Sequence, residues 1–182
     1  MMMVMSTLEP RRRRRLLAAF AAVILVLVVA FGAACNLTPK PVRTGPLLPA
    51  SATALPTYDA ARFHQLLASL KGKPVLVNAW NSFCGPCIKE AALLAAASRS
   101  HPGIQFIGLD VQDHMDLGRT FIRRYHVRYP SVFDPLYAIG SSLGMRGQPC
   151  TAFYDRTGRQ VAIVYGALDQ ATLSSDLAKI FA

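Results

Sequence analysis

The feature that most constrains this chain is Cys84-Gly85-Pro86-Cys87, which follows the largely apolar run Val75-Leu76-Val77-Asn78-Ala79-Trp80. A strand that feeds two cysteines into the start of a helix lowers a thiol pKa. The helix N-terminus offers unpaired backbone N–H groups and a partial positive charge. Both favour the thiolate, which is the nucleophile in disulfide exchange. Two intervening residues let the sulfurs meet across one helical turn, so the pair can close and open as a disulfide. The motif therefore points to thiol–disulfide exchange, a chemistry that needs no cofactor and no metal because the cysteines carry the electrons.

The first 34 residues lie outside that domain. Arg11 to Arg15 form an unbroken basic run, and Leu16 to Ala34 carry no charged or polar side chain. At about 1.5 Å per residue, that stretch just crosses a hydrocarbon core of roughly 30 Å. The arginines keep their end cytoplasmic, which leaves everything from Cys35 onward outside. Three readings fit. An uncleaved, single-pass signal anchor is favoured by the length of the apolar run; cleavage after Gly32-Ala33-Ala34 is the second. The third is a lipoprotein with Cys35 as the lipidated residue, although Gly32 stands where a lipobox usually has a larger aliphatic residue.

The whole chain carries a net charge of +10. Without residues 1–34, 15 Lys and Arg against 9 Asp and Glu leave +6. That moderate excess suits an anionic membrane surface. The most basic internal stretch, Arg119 to Tyr125, reads as an amphipathic helix with a solvated face, so nucleic acid is not an expected partner.

The expected organisation is a basic cytoplasmic N-terminus over 1–15, a membrane or signal helix over 16–34, a tether over 35–57, and one globular domain over 58–182. Pro39, Pro41, Pro46, Pro49 and Pro56 among small residues make the tether. The domain alternates helix and strand. Helices are expected over 58–70, 85–98, 115–126, 136–143 and 169–181, the last with Asp169 as N-cap. Strands are expected over 74–80, 104–110, 131–133, 151–154 and 160–165. Asp155-Arg156-Thr157-Gly158-Arg159 has hairpin-turn chemistry. A β-α-β half followed by a hairpin and a helix is an α/β pattern with a mixed sheet.

From about Gly72 onward the chain resembles the membrane-anchored, extracytoplasmic thioredoxins of the TlpA/ResA/CcmG type. The matching residues are Gly72 to Trp80, the CGPC motif, Lys89-Glu90, Tyr129-Pro130, Asp134, Gly147-Gln148-Pro149 and Asp155 to Gly158. The resemblance implies a thioredoxin fold, a central mixed sheet flanked by helices behind the N-terminal membrane or signal helix. It makes Cys84 the exposed attacking cysteine and Cys87 the resolving one. Gly85 and Pro86 shape the helix start, and Trp80 stands beside it. Pro149 takes the family's cis-proline position, with backbone at Gln148 facing the disulfide. Glu90 takes the position of an acid near the thiols and is assigned to handling the Cys87 proton. Asn78 replaces the buried aspartate of cytoplasmic thioredoxins.

The sequence departs from the pattern at Phe83, where Trp is commoner, and at Ala91-Ala92, where the family often has a proline. A helix replaces the usual N-terminal hairpin. Cys150 follows Pro149 and reads in two ways, as a third redox thiol or, preferably, as a small buried residue.

Three functions compete. The first is a reductase on the outer face of the membrane, acting on protein disulfides. By resemblance, its substrates include the cysteine pair of an apocytochrome c, and a membrane thiol carrier returns its electrons. The second runs the same chemistry backward, as an oxidase that donates disulfides to secreted chains. The third is a Cu(I) or thiol binding module using Cys84 and Cys87; His64, His101, His114 and His126 show no paired spacing with them.

Overall fold

The computed structural model describes residues 46–181. The expectations for 1–15, 16–34 and Cys35 lie outside the described residues, as does that for 35–45. Among the described residues, no helix is long and apolar enough to cross a membrane.

Five strands make one sheet: β1 (Val75–Trp80), β2 (Gln105–Val111), β3 (Ser131–Asp134), β4 (Cys150–Tyr154) and β5 (Gln160–Tyr165). Their order is β3-β2-β1-β4-β5. The first three run parallel, and β4 and β5 run antiparallel to their neighbours. β1 is central and buried along its whole length. A strand covered on both faces must be nearly continuous in apolar residues, which is why the run 75–80 reads as it does.

Helices α1 (Ala60–Ser69), α2 (Gly85–Ser100), α3 (Met115–Arg124), α4 (Ala138–Ser142) and α5 (Gln170–Lys179) flank the sheet. One face packs Leu76, Trp80 and Phe106 against Leu94 of α2, Phe121 and Ile122 of α3, and Leu173 and Leu177 of α5. The other packs Val77, Ala79, Ile107 and Leu109 against Phe63 and Leu66 of α1 and Ile139 of α4. The strict alternation of strand side chains sends consecutive residues of β1 to opposite layers.

Local chemistry ends the elements as the sequence suggests. Asp59 accepts from Arg62 N at 2.7 Å, and Asp169 accepts from Thr172 N at 2.7 Å, capping α1 and α5. In the β4–β5 turn, Asp155 Oδ1 accepts from Thr157 N at 2.9 Å and from Thr157 Oγ1 at 2.6 Å. Those bonds, led by the Thr157 hydroxyl, hold the Asp155 carboxyl below its usual range. Gly158 supplies the positive φ of 83° that the turn requires.

The boundary at residue 58 needs correction. Leu55 is fully buried, and Ala52 lies in the same core. Thr57 bridges parallel to Phe133, Phe133 N donates to Pro56 O at 2.9 Å, and Tyr58 Oη donates to Leu47 O at 2.6 Å. The prolines that suggested a tether lack an N–H, yet their carbonyls still accept and their small neighbours still pack. Residues 47–57 thus belong to the domain and run along its β3 edge.

Candidate active site

β1 ends at Trp80 and a three-residue loop delivers Cys84 to the N-cap of α2. Cys84 Sγ accepts from Cys87 N at 3.1 Å, the hydrogen bond that a helix N-terminus offers to a capping side chain. Pro86 falls in the first turn, where its missing N–H breaks no intrahelical bond. Cys84 and Cys87 are joined, with S–S 2.07 Å and Cα–Cα 5.2 Å. Cys87 is buried, Cys84 is half-buried, and Gly85 and Pro86 are exposed. Phe83, the residue before Cys84, is 65% exposed.

The Gln148–Pro149 peptide bond is cis. β4 begins one residue later and pairs with β1, Ala79 opposite Cys150. Pro149 is therefore at the end of the sheet where β1 releases the CGPC loop. Its carbonyl accepts from Gly166 N at 2.9 Å, which ties it to the end of β5.

Glu90 lies one helical turn beyond Cys87 and is only 2% exposed. Oε1 accepts from Asn78 Nδ2 at 2.8 Å and Oε2 from Leu168 N at 2.7 Å. Asn78 Nδ2 also donates to Thr151 Oγ1 at 3.0 Å, so β1, α2 and the chain before α5 meet at this carboxyl and β4 is tied in through Asn78. Burial pushes the Glu90 pKa up, while the Leu168 and Asn78 hydrogen bonds oppose that shift. Trp80 is buried and stacks on Phe121, with ring centroids 4.4 Å apart.

Cys150 is a free, buried thiol. It packs with Val77 and Ala79 on the sheet face opposite that of Cys87. Burial pushes its pKa up. Both observations fit a small core residue. Among the described residues no group of three or more His, Cys, Asp or Glu is gathered around a common point.

Sequence reasoning missed two parts of the site. Thr151 and Leu168 complete the Glu90 network, and a backbone donor such as Leu168 N leaves no mark in a sequence. Asp113 was also missed. It accepts from Ser82 N at 2.6 Å and from Ser82 Oγ at 3.0 Å, two residues before Cys84.

A Cys84–Cys87 disulfide at a helix start, a cis-proline at the same end of a five-stranded mixed sheet, and a buried acid one turn beyond Cys87 define a thioredoxin-like thiol–disulfide oxidoreductase. The Redoxin family model matches residues 48–167, and the chain belongs to that family. It is 29% identical over 156 residues to the soluble secreted antigen MPT53 of Mycobacterium tuberculosis, covering 85% of this chain and 86% of that one. It is 28% identical over 116 residues to the thiol-disulfide oxidoreductase ResA of Bacillus thuringiensis, covering 63% and 67%. The crystal structure of a secreted M. tuberculosis disulfide oxidoreductase aligns with a TM-score of 0.57 and 26% identity, covering 61% of this chain and 84% of that one.

Proposed function

We propose that this protein is an extracytoplasmic thiol–disulfide reductase, held at the membrane by residues 16–34. It reduces disulfides in exported proteins, among them the cysteine pair of an apocytochrome c before haem attachment. A membrane thiol carrier returns the electrons. The Cys84 thiolate attacks a substrate disulfide, the substrate S–S bond breaks, and the released substrate thiolate takes up a proton. Cys87 then gives up its proton, attacks Cys84 Sγ and releases the second substrate thiol. The protein is left with the Cys84–Cys87 disulfide, and its two electrons are on the substrate. Glu90 is the group that takes the Cys87 proton during resolution.

The observation that carries the reducing direction is the buried Glu90 carboxyl one turn behind Cys87. A disulfide donor needs a strongly stabilised reduced form, above all a stabilised thiolate. An acid at this position opposes further negative charge on the pair. Opposite it, one backbone N–H, that of Cys87, bonds to Cys84 Sγ among the described residues. The resemblance to ResA and the secreted character named for MPT53 support chemistry outside the cytoplasm.

The test is the equilibrium reduction potential of Cys84–Cys87, read from Trp80 fluorescence against glutathione or dithiothreitol buffers. The reductase requires a value near or below roughly −250 mV. A value of roughly −120 to −180 mV would make the protein a disulfide donor.

A further inference from the structure

A second acidic centre sits behind the loop that carries Cys84. β2 is an apolar strand, yet Asp110 stands on it fully buried, and neither carboxyl oxygen meets a donor among the described residues; its hydrogen bond is to the Asp113 carboxyl, which it can make only as the protonated acid. In register it lies between Trp80 of β1 and Phe133 of β3. Gly118 of α3 closes over it so tightly that a Cβ there would run into the Asp110 carboxyl, with Leu55 against the same spot. Native proteins seldom leave a buried carboxyl without a donor, and those that persist call for a reason.

None of Trp80, Phe133, Gly118 or Leu55 titrates. On α3, Arg119 turns away: its Nη1 reaches Asp116 Oδ1 at 3.4 Å and its Nε donates to Thr53 O at 3.3 Å. The charge that bears on Asp110 is that of Asp113. Asp113 in turn holds the loop before the active site, through Ser82 N and Ser82 Oγ, and its Oδ1 also accepts from His114 N at 2.6 Å. One residue before Ser82, Asn81 O accepts from Cys84 N at 3.4 Å. A chain of contacts therefore leads from Asp110 to Asp113, to Ser82, and to the backbone that presents Cys84.

We propose that Asp110 is a positioning residue for the attacking thiol. As a neutral acid it leaves Asp113 to clamp Ser82, and on losing its proton to solvent it sets a like charge beside Asp113 and loosens the clamp. Burial, reinforced by the Asp113 charge and by the hydrogen bond to Asp113, pushes its pKa up to about 9, so the neutral form prevails at pH 7 and the change falls on the alkaline side. The device serves exchange in either direction, so its failure leaves the reducing assignment untouched.

The decisive measurement is a carbon NMR titration of the full-length chain in detergent micelles, labelled at aspartate Cγ and kept oxidised so that Cys84 and Cys87 do not titrate. Asp110 should titrate above pH 8, and the Asp113 resonance should move with the same midpoint. A normal carboxylate titration for Asp110, or an Asp113 signal blind to it, overturns the proposal without any variant. The functional arm follows iodoacetamide alkylation of reduced Cys84, mapped by mass spectrometry. Loosening the clamp should lower the wild-type rate about threefold to tenfold beyond its alkaline plateau, because small misplacements of a nucleophile are expensive. Asp110→Asn should stay on the plateau, and Asp113→Asn should show the lowered rate already at pH 7. An alkaline fall that survives in Asp110→Asn also overturns it.

Discussion

Two acids are buried on the same side of the sheet, and they are treated in opposite ways. Glu90 is met by three elements: an amide from β1, a backbone N–H from the segment before α5, and the helix that carries it. Asp110 is met by an indole, a phenyl ring, a glycine and a leucine, with no donor to either oxygen and only the Asp113 carboxyl to receive its proton. Burial raises both pKa values, yet at Glu90 two donors oppose the shift, whereas at Asp110 the neighbouring Asp113 charge adds to it. Burial alone therefore does not decide what an interior carboxyl does. Donors make one acid part of the scaffold around the thiols, whereas burial and a second carboxyl keep the other protonated.

The sharpest way to break this contrast is to remove each acid in turn. Glu90→Ala strands Leu168 N–H and one bond of Asn78 in the core, so it should destabilise the oxidised protein by ~2–4 kcal/mol in urea denaturation. Truncating a solvated surface acid would change stability by less than about 0.5 kcal/mol, and that result would sink the contrast. Asp110→Asn should act in the other direction, stabilising the protein at pH 8 by on the order of 1–3 kcal/mol, because the folded wild type must hold a proton on Asp110 that the unfolded chain has already lost, and Asn needs none.

The pH dependence fixes the sign. Asp110 is raised above its unfolded value of 3.8 to about 9, so the folded state binds more protons than the unfolded state across that window. Its contribution is fully present below about pH 4 and is lost as pH rises through about 9. Wild-type stability should therefore fall between those limits more steeply than that of Asp110→Asn. The gap between the two should widen from pH 5 to pH 8. Parallel curves would show that Asp110 is ionised in the native state. Glu90 contributes with the same sign, because its pKa is also raised.

Much of this was legible in the sequence. Strand 75–80 and the helix beginning at Gly85 follow from an apolar run and a capping cysteine, both local signals. The hairpin turn was legible because Asp155 and Gly158 each carry a conformational requirement. The position of Pro149 needed the family resemblance, since a proline in a loop says nothing of its isomer. What escaped was non-local. Leu55 and Pro56 look like linker until Phe133 is placed beside them, 77 residues away for Pro56. Asp110 was visible as a charge within Phe106-Ile107-Gly108-Leu109-Asp110-Val111, but its neighbours come from three other elements. Ser82 and Asp113 are 31 residues apart, with no periodicity to connect them.

The smallest expected effect belongs to the one thiol outside the motif. Cys150 neighbours Pro149 in sequence, which suggests a partner for the disulfide, but strand alternation sends its side chain to the layer of Val77 and Ala79. Cys87 packs in the other layer. A thiol must reach a sulfur to exchange with it, and the sheet itself lies between these two. Burial also pushes the Cys150 pKa up, which leaves little thiolate at neutral pH. Cys150→Ala should thus leave the reduction potential and exchange rate unchanged and lower stability by about 1 kcal/mol or less, the usual loss for trimming one small buried group. In the folded, oxidised protein, a thiol reagent should label Cys150 only as fast as the sheet opens. A shifted potential in Cys150→Ala, or a trapped Cys84–Cys150 disulfide, would mean that the sheet edge at Pro149 opens during turnover, and the site would then need three sulfurs rather than two.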